Sequence, residues 1–220
     1  DRETDLLRMM ETQMQALPSN DSKEKTLLEE WKLSITPVND EKELRQIKRH
    51  MGHSADCFSK AFRVKNSNRD NAFWNYYDKH NYHKEDIHYW YHGSRNMNCL
   101  SILHNGLILN PKAPKVGHMF GYGIYLAPKA KKSIGYTSLN GSFWVHGTSD
   151  KAYLFVMKTV YKSPYHVYTW TSGMKSLTKS RISPHDAVFA HAGTSLRNDE
   201  VVIFDDAQVT LQYIIELKQQ

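Results

Sequence analysis

One stretch of the chain concentrates side chains that could bind a ligand around glycines. Its first segment is a short apolar run that ends in His92-Gly93-Ser94. Its second segment is Gly121-Tyr122-Gly123-Ile124-Tyr125, and a Pro- and Lys-containing loop joins the two. Two strands hinged by glycine and linked by turn-forming residues predict a cleft rather than a plain core. The stretch from Tyr91 to Tyr136 is therefore the candidate binding site.

The composition limits the class of protein. The length of 220 residues fits one well-cored domain, and 40% hydrophobic with 12% aromatic residues indicates a globular chain. A formal net charge of +6 is compatible with an anionic partner such as a nucleotide or nucleic acid, and equally with an ordinary basic surface. Cys57 and Cys99 lie far apart without a metal-ligand spacing, which suits an intracellular setting. The sequence predicts no membrane span.

Several conventional sites are excluded by their spacing. The segment from Gly121 to Leu126 lacks the third glycine of a dinucleotide-binding fingerprint and does not open a βαβ unit. The chain has no P-loop, and its twelve histidines lack the HExxH spacing. His53 and Cys57 stand one helical turn apart but have no second ligand pair. We therefore expect no metal site.

The predicted elements alternate irregularly between strands and helices. Helices are expected over 1–17, 23–30, 41–51, 73–78 and 98–105, and a further lysine-bearing helix runs through Tyr136. Strands are expected over 31–35, 59–65, 88–91, 121–125, 152–160, 200–204 and 209–217. Residues 138–150 are expected to be an exposed connection, and 172–198 a long loop. This order predicts an α+β fold rather than a regular βαβ wind.

Taken together, these motifs resemble one family. The order and spacing of His92-Gly93-Ser94, the glycine-hinged segment that ends at Tyr125, Lys132-Ser133 with Tyr136, and the segment that begins at Glu200 are similar to those of the catalytic domain of poly(ADP-ribose) polymerases. The similarity extends from about Trp31 to Leu217. The resemblance rests mainly on the three-part His-Tyr-Glu pattern.

The resemblance implies a fold and a reaction. The implied fold is the ADP-ribosyltransferase fold, with two packed, mainly antiparallel sheets flanked by helices and the NAD cleft between them. Residues 1–27 would be a short helical extension and 28–220 the catalytic domain. The implied reaction transfers ADP-ribose from NAD to protein acceptors, and automodification is an option that the resemblance leaves open. NAD is the donor substrate, no metal is needed, and no membrane is involved.

The resemblance also assigns catalytic residues. Glu200 would stabilise positive charge at the ribose carbon, bind the 2′-hydroxyl and help to activate the acceptor. His92 would hydrogen-bond the adenosine ribose, and Tyr125 would form one wall of the pocket. By the same resemblance, the NAD-binding set is His92, Gly93, Ser94, Tyr125, Lys132, Ser133, Tyr136 and His118. Within it Gly93 and Ser133 would hold the carboxamide, and Tyr136 would stack on the nicotinamide ring.

Two departures and several alternatives accompany this assignment. Tyr122 stands where these enzymes often carry a basic residue, and Ile108 where an arginine can serve adenosine binding; His118 could equally have a packing role. Glu200 favours chain elongation, with single-unit transfer or NAD hydrolysis as alternatives. A non-catalytic NAD or nucleic-acid binding module is the other class. The short segment before residue 28 leads us to expect activity that does not require DNA.

Overall fold

The computed structural model describes residues 25–109 and 118–219. The helix predicted over 1–17 and the loop predicted over 110–117 lie outside these residues, as does most of the proposed extension over 1–27. Within the described chain the helices are α1 (Leu27–Glu30), α2 (Glu41–Met51), α3 (Ser67–Lys79), α4 (Cys99–Asn105), α5 (Ala130–Ile134) and α6 (Lys179–Ile182). The strands are β1 (Leu33–Pro37), β2 (Phe58–Asn66), β3 (Ile87–Gly93), β4 (Ile124–Leu126), β5 (Lys151–Val160), β6 (Pro164–Val167), β7 (Ala187–Ala190), β8 (Glu200–Ile203) and β9 (Val209–Lys218).

The larger sheet has five strands in the order β1-β2-β9-β5-β3, and all its pairings are antiparallel. β5 runs between β9 and β3, and eight of its ten residues are buried. A strand in this position has both faces covered, so it is apolar at nearly every position rather than at every second one.

The smaller sheet has the order β4-β8-β7-β6. Its pairings are antiparallel except for β6 with β7, which are parallel. Tyr91 in β3 and Ala127, just after β4, exchange backbone hydrogen bonds of 2.8 and 2.9 Å, which brings the edges of the two sheets together. The α+β class and the two mainly antiparallel sheets are therefore confirmed.

Hydrophobic side chains fill the space between the sheets. Phe155 and Met157 from β5 share one buried cluster with Leu126 of β4 and Val201 of β8. On the outer face of the larger sheet, Leu154 and Val156 pack instead beneath α2 and α5. α2 begins at an Asp40 cap, whose carboxylate accepts from the backbone N–H of Glu43 at 2.9 Å. No helix in residues 25–109 and 118–219 is long and apolar enough to cross a membrane.

Some sequence-based boundaries were wrong. Residues 172–198 are not one long loop, because α6 and β7 both lie within them. β7 is a run of only four residues at the centre of its sheet, too short to show a period, and β6 was missed for the same reason. The glycine-hinged strand begins only at Ile124, since Gly121 has a φ of +82° that a strand does not allow. β1 begins at Leu33 rather than Trp31, which ends α1.

Candidate active site

The end of β3 positions the first predicted group of site residues. His92 and Gly93 pair with Phe155 and Leu154 of β5, so a central strand holds their backbone in place. The bridge from Tyr91 to Ala127 then brings the strand that carries Tyr125 alongside. Residues far apart in the chain consequently meet at the junction of the two sheets.

His92 is held in one tautomer. Its Nδ1 lies 3.1 Å from the carbonyl oxygen of Tyr125, and because a carbonyl only accepts, Nδ1 carries the proton. Burial lowers the pKa of His92, with the bond to Tyr125 opposing that shift, so the ring is neutral at pH 7. Nε2 is then a hydrogen-bond acceptor. Nε2 can therefore accept a hydrogen bond from a ligand hydroxyl, while the Nδ1 proton is already donated to Tyr125.

Gly93 is required by the close approach of α5. A Cβ built at this position would lie 1.7 Å from the carbonyl oxygen of Ser133, a buried residue of that helix. The backbone of β3 and the helix that carries Lys132 and Ser133 are therefore in direct contact. No other residue type allows this packing without displacing the helix.

We expect Gly93→Ala to separate β3 from α5 and to destabilise the fold by about 1–3 kcal/mol, the usual cost of overpacking. Chemical denaturation of the purified chain measures the change. Gly173→Ala is the matched control, because a Cβ there meets nothing within 4 Å. Equal stability of the Gly93 and Gly173 variants would show that the contact with Ser133 relaxes without cost.

Tyr125 uses its hydroxyl to fix the preceding turn. The oxygen donates to the carbonyl of Gly121 at 2.6 Å and accepts from the N–H of Phe120 at 3.0 Å. Burial raises the pKa of Tyr125, and the charge of Glu200 adds to the shift. A phenol bonded in this way is a poor acid or base. The structure therefore favours the role of a rigid wall for Tyr125 over a part in proton transfer.

Glu200 lies at the start of β8 and pairs with Lys132 of α5. The Lys132 Nζ and the Glu200 Oε2 are 3.0 Å apart, and only 11% and 12% of the two side chains are exposed. Burial raises the pKa of Glu200, while the charge of Lys132 and its hydrogen bond oppose the shift. The ammonium group thus supports a carboxylate in a place that disfavours charge.

Tyr136 lies near Glu200 in this part of the site. Burial and then the charge of Glu200 raise the pKa of Tyr136 to about 12, which places the phenol within electrostatic reach of the carboxylate. Trp144, which the sequence placed in an exposed connection, stacks against Tyr136 with ring centroids 5.8 Å apart and an angle of 16°. The backbone N–H of Trp144 donates to the carbonyl of Gly135 at 2.9 Å. The sequence signal that could have identified Trp144 is an aromatic residue in a glycine-rich loop close to the Lys132-Ser133 motif.

Ser94 and His118 lie at the margins of this arrangement. Ser94 Oγ accepts from Asn98 Nδ2 at 2.8 Å, which ties the His-Gly-Ser turn to the start of α4. The His118 ring lies 5.0 Å from Tyr122 and 6.3 Å from Tyr125. Its Nδ1 is buried without a hydrogen-bond partner in the described part of the chain. Its place beside Tyr125 agrees with a position at the cleft.

The described residues of this site are suited to charge stabilisation. Within 25–109 and 118–219 no cluster of three or more His, Cys, Asp and Glu side chains could hold a metal ion. The arrangement instead combines one supported carboxylate, a neutral imidazole acceptor and two aromatic rings. Such a site can stabilise a developing cation and position hydroxyl groups.

Comparison with known proteins gives one consistent result. Residues 40–219 match the family model for the poly(ADP-ribose) polymerase catalytic domain. Similar curated proteins include "Poly [ADP-ribose] polymerase" of Drosophila melanogaster, 31% identical over 58% of this chain, and "Poly [ADP-ribose] polymerase 1" of Gallus gallus, also 31% identical over 58%. "Poly [ADP-ribose] polymerase 2" of Arabidopsis thaliana is 26% identical over 84%. These alignments cover only 15%, 14% and 33% of the respective relatives.

Proposed function

This chain belongs to the family of poly(ADP-ribose) polymerase catalytic domains, and from that premise we propose that it transfers ADP-ribose from NAD to protein acceptors and releases nicotinamide. The observation that supports this most strongly is the buried Lys132–Glu200 pair beside Tyr136. It supplies a carboxylate where a cation would form if the nicotinamide lay against Tyr136.

The contact between β3 and α5 supports a nicotinamide site at this place. The backbone of Gly93 and the hydroxyl of Ser133 would hold the carboxamide, and Tyr125 and Tyr136 would enclose the ring. Aromatic stacking contributes about 0.5–1.5 kcal/mol beyond area burial, and the positive charge of the bound ring adds a cation–π term. The neutral His92 would accept a hydrogen bond from the adenosine ribose through Nε2.

Cleavage of the bond between nicotinamide and ribose passes through an oxocarbenium-like centre, as in glycoside hydrolysis. Glu200 would stabilise that charge and hold the 2′-hydroxyl of the donor ribose. It would also help to remove the proton from the acceptor hydroxyl. Lys132 would keep Glu200 ionised. A carboxylate able to activate a hydroxyl is also the reason to propose elongation of an ADP-ribose chain.

NAD labelled in its adenylate part tests this function. Incubated with the chain and separated on a gel, the label should form a ladder of high molecular weight. A single labelled protein band would replace elongation with single-unit transfer, and free ADP-ribose alone would replace transfer with hydrolysis. Label that stays entirely in NAD would favour a binding module without catalytic activity.

Trp144→Ala should weaken product inhibition by nicotinamide about three- to tenfold, which corresponds to the loss of one stacking contact behind Tyr136. Inhibition of NAD turnover by added nicotinamide measures this effect. Phe143→Ala is the matched control, because Phe143 touches Trp144 edge-on at 4.7 Å and is 62% exposed. The same inhibition constant in wild type and Trp144→Ala would remove Trp144 from the ligand site.

A further inference from the structure

A second pocket lies on the other face of the larger sheet. Its volume is about 370 Å³, and it is lined by Trp74, Tyr77, Lys84, Ile87, Tyr89 and Lys158. In β5 the inter-sheet core takes Phe155 and Met157, and strand alternation puts Lys158 on the opposite side. The same alternation separates Tyr89 from His92 in β3. This pocket is therefore distinct from the proposed NAD cleft.

An exposed indole forms the floor of the pocket and is held in place. Trp74 is 41% exposed, although it lies on α3 next to the fully buried Phe73. Its ring makes edge contacts with Phe73 and Tyr77, each with centroids 5.2 Å apart. Tyr89, 42% exposed, supplies a second ring on β3. These rings lie on a helix and a strand, so a stacking surface exists before any ligand binds.

Lysines accompany these rings. Lys158 pairs with Tyr89 across the two strands, and its Nζ lies 5.1 Å from the centre of the Trp74 ring. Burial lowers the pKa of Lys158, while the charge of Asp70 opposes that shift. The Asp70 carboxylate itself accepts a hydrogen bond from Thr210. An anion beside Lys158 would therefore relieve the cost of burying the ammonium group.

The second lysine, Lys84, lies in the short 3-10 turn just before β3. It lines the same pocket as Ile87 and Tyr89 of that strand. Lys65 adds positive charge near Lys158. The neighbouring carboxylates are Glu85, which is exposed, and Asp86, which accepts from the backbone N–H of His83. The chain as a whole carries a formal charge of +6.

We propose that this pocket binds single-stranded nucleic acid, with one base stacked on Trp74 in place of the Lys158 ammonium and with the phosphates bound by Lys158 and Lys84. Aromatic rings combined with lysines favour binding that tolerates any base. A pocket selective for one free nucleotide would require groups that recognise the base edge. Among the described residues that line this pocket, none is a carboxylate or a carboxamide. The inference does not depend on the proposed transferase activity.

Fluorescence anisotropy of a labelled oligothymidylate of about twelve nucleotides, titrated with the whole chain at low salt, tests the proposal. Trp74→Ala should weaken binding about tenfold, and Trp74→Phe should retain most of it because a stacking ring remains. Lys158→Met should weaken binding and reduce the slope of log K against log salt by about one. The matched control is Lys48→Ala, which removes a lysine that lies 4.9 Å from the ring of Phe58 but does not line this pocket.

Distinct results would overturn the proposal. Equal affinities for wild type and Trp74→Ala would contradict it, as would an equal loss in Lys48→Ala, which would indicate general basicity. AMP is the second probe. AMP binding that depends on Trp74, without oligothymidylate binding, would identify a free-nucleotide site instead. If Trp74→Ala does not fold, Trp74→Phe and Lys158→Met decide the outcome.

Discussion

Glu200→Gln should slow ADP-ribose transfer about a hundred- to ten-thousand-fold while NAD affinity changes little. The amide has the size of the carboxylate and can still bind a hydroxyl. It cannot stabilise a positive ribose carbon or take the acceptor proton, however. Removing the charge therefore affects the transition state much more than the bound substrate. Single-turnover consumption of NAD and a separate NAD-binding titration measure the two effects independently.

Glu216→Gln is the matched control for this substitution. Glu216 lies on β9, away from the proposed cleft, and is also buried, at 5% exposure. It accepts a hydrogen bond from Ser59 at 2.7 Å. This variant should lose some stability but keep the rate of transfer. Unchanged transfer and product length in Glu200→Gln would exclude Glu200 from the mechanism.

Lys132→Met should have the second-largest effect, since it leaves a buried carboxylate without its counterion. Removing one partner of a buried pair costs about 3–5 kcal/mol. The pKa of Glu200, already raised by burial, should rise further because the opposing charge is lost. The proposed mechanism uses the ionised form of Glu200, so the acid limb of the pH–rate profile should move to higher pH.

The stability of Lys132→Met should depend on pH in a defined direction. Burial gives Glu200 a higher pKa in the folded chain than in the unfolded chain. Between the two pKa values the folded state binds more protons, so stability falls as pH rises through this window. The stability of the variant should therefore be closest to that of wild type at acid pH. The loss of stability should be largest above the pKa of Glu200 in the folded chain. Denaturation at several pH values measures this trend.

Lys151→Met is a matched control for that experiment. Lys151 is 39% exposed, and its Nζ lies 3.9 Å from Glu216. This ion pair is therefore longer and more exposed to solvent than the pair that Lys132 forms. Because the ammonium group of Lys151 remains partly in solvent, its loss should cost less stability than the loss of Lys132. A Lys132 variant that behaved like Lys151→Met, with an unmoved acid limb, would show that Lys132 does not support the charge of Glu200.

Local patterns in the sequence predicted much of the fold. The helix expected over 41–51 coincides with α2, because an Asp cap and a spaced apolar face define it without help from the rest of the chain. The strands expected over 200–204 and 209–217 also appear as β8 and β9. β6 and β7 were missed. β8 is equally short, but the motif that begins at Glu200 marked it, whereas β6 and β7 carry no such motif and depend on their neighbours in the sheet.

The sequence likewise predicted only part of the candidate site. Motifs identified the residues around His92, Tyr125 and Glu200, but spacing alone could not show that Lys132 forms an ion pair with Glu200. That pair depends on the packing of α5 against Gly93, a contact between segments distant in sequence. Trp144 was missed because its loop has no period, and only the fold brings it to Tyr136.

Release of nicotinamide from NAD labelled in the nicotinamide ring tests the central claim most directly. This measurement reports cleavage of the donor whatever becomes of the ADP-ribose. The proposed mechanism predicts continuous release by the purified chain, a large loss in Glu200→Gln, and a profile shifted to higher pH in Lys132→Met. No release by the wild-type chain, or the same rate in Glu200→Gln, would contradict it.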